Sequence, residues 1–131
     1  MADPTGLKQA LAQLGPLEAR IMRAIWTGAV REPFVVRDVK AQMPELAYTT
    51  VMTTVTRLAD KELLRADAGK QGRAIAYRSA GDPRTFLAAA SRHQVDQMVE
   101  ELGDAALAAF AARLESLSPE RRRRLRELAG E

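Results

Sequence analysis

Apolar residues along this 131-residue chain fall mostly at helical spacing, with one stretch of alternation. Gly15-Pro16-Leu17-Glu18 reads as a helix start: Gly can cap, Pro suits the first helical position and Glu favours the first turn. Ile21, Met22, Ile25 and Trp26 form the stripe behind it, and Gly28 ends it. Residues 1–14, ahead of this start, are expected to be a loose arm. Arg31-Glu32-Pro33 reads as a turn and Phe34-Val35-Val36 as a short strand. Val36–Met43 reads as a short helix burying Val39 and Met43, stopped by Pro44. A longer helix, Ala47–Lys61, repeats Val51, Val55 and Leu58 on one face. Leu63–Ala68 and Arg73–Arg78 read as strands around a Gly69-Lys70-Gln71-Gly72 hairpin loop, with Ile75 and Tyr77 on one face by alternation.

The rest reads as helix throughout. Asp82-Pro83 is a strong start, an Asp cap with Pro at the first helical position. Phe86, Leu87, Ala90, Val95, Met98, Val99 and Leu102 follow at mixed steps. Gly103-Asp104 breaks and restarts the helix, which then carries Leu107, Phe110, Ala111 and Leu114. Ser118-Pro119-Glu120 caps a last helix with Leu125 and Leu128. Residues 83–131 are few for a core of their own. A surface that pairs with a second copy explains them better than a bundle within one chain. The dimer candidates are Leu87, Val95, Met98, Leu102, Leu107, Phe110 and Leu114.

Three helices followed by a hairpin is the order of a winged helix-turn-helix, with the Pro44–Leu46 turn joining its two central helices. The expected fold is therefore mainly α: a winged helix-turn-helix over 1–82, then a helical dimerisation region over 83–131. The helix at Ala47–Lys61 carries an unusual outer face of Tyr48, Thr49, Thr50, Met52, Thr53, Thr56 and Arg57. Threonine is a mediocre helix former, and Lys or Glu would serve a solvated face better. Short hydroxyls and methyls ending in one Arg suit the floor of a DNA major groove. An ordinary amphipathic helix with a β-branched bias is the alternative on these residues alone.

Charge supports the DNA reading. Residues 31–78 hold nine Lys/Arg against six Asp/Glu, an excess of three, which equals the net charge of the whole chain, +3. Residues 83–131 balance. Lys70 and Arg73 at the hairpin tip can meet phosphates or the adjacent minor groove, and Arg37 adds a third cation. Arg121–Arg124 wraps a whole helical turn and reads as a solvated run. So modest an excess gives weak binding by one copy, which dimerisation would strengthen.

Other classes lack their residues. There is no Cys, so disulfides and thiolate metal sites are out and a reducing cytoplasm is expected. One His, His93, has no partner for zinc or copper. No phosphate loop or nucleophile elbow appears. No run is long and apolar enough for membrane insertion, and residues 1–18 lack a signal-peptide pattern. Neither enzyme activity nor a cofactor is expected.

The segments LGPLEARIMRAIW, VVRDVKAQM, LAYTTVMTTVTRLADKELL and GRAIAYR resemble the penicillinase-repressor family, from about Leu14 to Leu128, and most of all its actinobacterial BlaI type. The resemblance implies a homodimer that binds an operator with dyad symmetry and represses β-lactamase or other antibiotic-response genes. It implies DNA contacts at Thr49, Thr50, Thr53, Arg57 and Arg73. It also brings in a membrane sensor protease, which cleaves some members at an Asn-Phe bond; the matching bond here is Ala109-Phe110. The copper-responsive branch carries C-terminal Cys pairs that this chain lacks. Many members open the recognition helix with Ser-Pro where Ala47-Tyr48 stands, a poor cap for which Thr49 or Thr50 could compensate. The expectation is a dimeric repressor on double-stranded DNA. The rival reading is a winged helix whose Thr-rich face binds a protein.

Overall fold

The computed structural model describes residues 6–67 and 73–130. Its elements are α1 (Leu7–Ala12), α2 (Pro16–Trp26), α3 (Val36–Gln42), α4 (Tyr48–Asp60), β1 (Leu64–Asp67), β2 (Ala76–Ser79), α5 (Pro83–Leu102), α6 (Asp104–Glu115) and α7 (Pro119–Leu128). This is a winged helix-turn-helix followed by C-terminal helices. Two compact units divide between Ala89 and Ala90, within α5.

The first unit is built around one core. Ile21, Met22 and Ile25 of α2, Val39 of α3, and Val51, Val55 and Leu58 of α4 meet in it, closed by Phe34, Leu64 and Tyr77. The expected stripes of α2, α3 and α4 are thus the buried faces. Trp26 is half-buried, its Nε1 donating to the Gly81 carbonyl at 3.0 Å and its ring 6.0 Å from that of Phe86.

Three local expectations are corrected. The supposed loose arm contains α1, whose Ala10 and Leu11 are buried. Tertiary packing holds this short helix, which no strong capping signal announces. The expected strand at Phe34–Val36 shrinks to a single bridge, Phe34 exchanging backbone hydrogen bonds with Tyr77 at 2.9 and 2.7 Å. Val36 opens α3, as the expected helix from Val36 has it, because Asp38 Oδ2 accepts the Val35 N–H at 3.0 Å and turns the chain into the helix. Finally, β2 begins at Ala76, so Ile75 precedes the strand and is exposed, while Tyr77 is buried. The ladder pairs Leu64 with Ser79 and Asp67 with Ala76, antiparallel.

In the second unit the break between α5 and α6 falls at Gly103 (φ 62) and the start of α7 at Ser118, whose Oγ accepts the Arg121 N–H. Its side chains are mostly exposed. Among its described residues only Ala106 is fully buried. No helix among the described residues is long and apolar enough to cross a membrane.

Candidate nucleic-acid interface

The helix-turn-helix consists of α3, the turn at 43–47 and α4. The turn is held from several sides. Leu46 N–H donates to the Met43 carbonyl at 3.0 Å, Lys40 Nζ donates to the Pro44 carbonyl at 2.8 Å, and Arg20 of α2 pairs with Glu45. Glu18 of α2 then reaches the other end of α4, where its carboxylate receives Lys61 Nζ at 2.8 and 3.0 Å. It also accepts the Gly15 N–H at 3.2 Å. The hydrogen bond from Lys61 holds the Glu18 carboxyl below its ordinary range, against burial, which pushes it up. Both ends of α4 are therefore tied to α2.

The C-terminus of α4 closes with a Schellman-type lock. Leu63 N–H donates to the Leu58 carbonyl at 2.9 Å and Glu62 N–H to the Ala59 carbonyl at 3.0 Å, with Glu62 at φ 66. The N-terminus has no such device. Ala47 stands in cap geometry (φ −66, ψ 147) without a side-chain hydrogen bond, and neither Thr49 nor Thr50 supplies one. The apolar face, with Val51, Val55 and Leu58 wholly buried, holds the helix in place.

The opposite face is open. Tyr48, Thr49, Met52, Thr53, Thr56 and Arg57 are exposed and Thr50 is half-buried. Not every hydroxyl there is free to donate outward. Thr56 Oγ1 donates back to the Met52 carbonyl at 2.9 Å, and buried Thr54 to the Thr50 carbonyl at 2.8 Å. Arg37, on the first turn of α3, and Arg73, ahead of β2, are also exposed. Neither they nor Arg57 form an ion pair among the described residues. Lys70, expected at the wing tip, lies outside the described residues.

A groove of about 350 Å³ runs between α4, the start of α3 and the segment before β2, lined by Val36, Arg37, Tyr48, Met52, Ala74 and Ile75 among others. Ile75, taken from its alternation as a partner of Tyr77, is 47% exposed here. Its place just ahead of the strand, next to Arg73 and Ala74, would have been the signal.

The dimer candidates fall in both units. Leu87 belongs to the first unit and is half-buried, its Cδ1 close against Gly6, where an added Cβ would stand 2.9 Å away. Val95, Met98 and Leu102 on α5 and Leu107, Phe110 and Leu114 on α6 are all exposed. Among the described residues no group of His, Asp or Glu is arranged to hold a metal.

A helix-turn-helix followed by a hairpin wing, with an exposed outer face on α4, defines a winged-helix protein. Residues 14–131 match the family described as Penicillinase repressor, and the chain belongs to that family. It is also similar to proteins named Transcriptional regulator BlaI from two strains of Mycobacterium tuberculosis, CDC 1551 / Oshkosh and ATCC 25618 / H37Rv. Each is 44% identical over 57 residues, which cover 41% of this chain and 40% of the relative.

Proposed function

We propose that this protein is a homodimeric transcriptional repressor that binds a dyad-symmetric operator in double-stranded DNA. The observation that carries the reading is the outer face of α4, exposed and rich in threonine, between unpaired cations on α3, on α4 itself and on the wing. In this reading α4 enters a major groove, with Thr49, Thr50 and Thr53 toward base edges. Tyr48, Arg57, Arg37 and Arg73 hold the sugar-phosphate backbone, and Lys70 belongs to the same wing contact. Family membership and the BlaI name of the relatives support β-lactamase or related antibiotic-response genes as targets.

Dimerisation is supported by the second unit. Six large apolar side chains from Val95 to Leu114 stand in water in a single copy, more than a lone set of helices needs to expose. A second copy covering them gives two recognition helices, with half-sites spaced near whole turns of DNA. A membrane sensor protease is a further partner that family membership suggests. The Ala109–Phe110 bond lies within α6, so cleavage there requires that helix to unwind first.

The test is a fluorescence titration of the purified protein with duplex DNA from upstream of its own gene, at several salt concentrations. Saturable binding with a steep fall in affinity as salt rises is expected, each neutralised phosphate adding about 0.9 to the log–log slope. Salt-independent binding, or none, overturns the reading.

A further inference from the structure

Exposed large apolar residues are few among the described residues of the first unit, and three of them, Tyr48 (49%), Met52 (43%) and Ile75 (47%), line the groove between α4 and the segment before β2. Such a patch rimmed by charge marks a contact surface rather than ordinary scatter. Arg37 lines the groove and Arg73 precedes its lining residue Ala74 in the chain, neither with an ion pair among the described residues. An occupant must therefore be anionic and must also offer apolar groups. Duplex DNA does both, because thymine carries a C5-methyl into the major groove between two rows of phosphates.

The threonine hydroxyl that lines this groove is a poor donor for base reading: Thr56 has turned its proton to the Met52 carbonyl. What this side of α4 offers outward is a thioether chain, an aromatic ring and threonine methyls.

On the reading that α4 enters the major groove, we infer that Met52 is a specificity-determining residue that selects thymine by packing its side chain on the C5-methyl, with Tyr48 and Ile75 as the apolar backing. The unbranched side chain of Met adapts to such a contact. The preference is for a methyl group and not for a hydrogen-bonding edge, so it has a direct chemical test.

Duplexes are first selected by the protein from a random-sequence pool, then resynthesised with either thymine or uracil at the T positions of the half-sites. Uracil keeps every hydrogen bond and removes only the methyl. The wild-type protein is expected to bind the uracil duplex about fourfold more weakly for each methyl contacted. Met52→Ala, at an exposed position, is expected to bind the thymine duplex more weakly and to lose the discrimination between the two. Met52→Leu should retain it. Equal wild-type affinity for both duplexes overturns the inference while leaving DNA binding intact. So does undiminished discrimination by Met52→Ala, and so does a loss by that variant that is equal on both duplexes, which would mark a sugar contact. Failure to select any duplex overturns the DNA-binding reading together with the inference.

Discussion

Replacing Lys61 by Met isolates what the tie between α2 and α4 contributes. Glu18 is 9% exposed, and its carboxylate receives two short contacts from Lys61 Nζ and one from the Gly15 N–H. Met keeps most of the apolar stem of Lys and removes only the ammonium. Hydrogen bonds to charged groups contribute about 1.5–3 kcal/mol. The Lys61 side chain is more than half exposed, so solvent screens the pair and about 1–2 kcal/mol is expected. The pH dependence separates this from lost packing. In the wild type the Lys61 hydrogen bond depresses the Glu18 carboxyl below its ordinary value of 4.5. Its contribution is then fully present above 4.5 and is lost as pH falls through the depressed folded value. In the variant the contribution of Lys61 is gone, and burial is opposed only by the Gly15 N–H and the Arg57 charge. Urea unfolding of both proteins should show the gap at its widest near neutrality. It should shrink as pH falls below 4.5 and the carboxyl becomes neutral in each. A gap of the same size at both ends of that range would refute the ion-pair account and leave packing as the cause.

Other substitutions test other parts of the molecule. Glu62→Gly should stabilise the protein by about 0.5–1 kcal/mol in urea titrations, because Glu62 occupies a left-handed position (φ 66) that closes α4 and suits glycine. Ala47→Ser should add about 1 kcal/mol, since the backbone is already in cap geometry and lacks only the side-chain acceptor. Arg73→Ala and Arg37→Ala should each weaken binding to all duplexes alike and lower the salt slope by about one phosphate in anisotropy titrations, whereas an unchanged slope removes that residue from the backbone contact. Phe110→Asp should give monomers in light scattering, and a variant that stays dimeric moves the interface off that part of α6.

The parts of the fold that could be read from the chain are those fixed by short-range chemistry. Asp82 caps α5 by accepting from both the Thr85 N–H and its hydroxyl, Ser118 caps α7, and Gly103 parts α5 from α6. The core stripes of α2 and α4 could be read for the same reason, since apolar period and buried face coincide. What escaped depends on contacts distant in sequence. α1 exists because Leu11 joins the core and Ala10 is buried beside it in sequence. Alternation put Ile75 on one face with Tyr77 in a strand from Arg73, but β2 starts only at Ala76 and leaves Ile75 in the groove. The left-handed Glu62 carries no glycine to announce it. At the candidate interface, the outer face of α4 was visible as composition, whereas the back-bonded hydroxyls of Thr54 and Thr56 are a matter of rotamer that no spacing encodes.

The poor helix chemistry of α4 then has a physical explanation. Five threonines between Thr49 and Thr56 and an alanine cap would leave an isolated helix of this length largely unfolded. In the protein α4 is held by other means: Val51, Val55 and Leu58 are wholly buried, and ion pairs from α2 secure the turn before it and the residue after it. Because packing on one side holds the helix, its other side is released from the demand for strong helix formers. Tyr48, Thr49, Met52 and Thr53 can then serve contact instead of stability. Substitutions on that outer face should therefore alter binding with little change in unfolding free energy. Those on the inner face should do the reverse: Leu58→Ala, which empties a fully buried site, should cost about 2–5 kcal/mol.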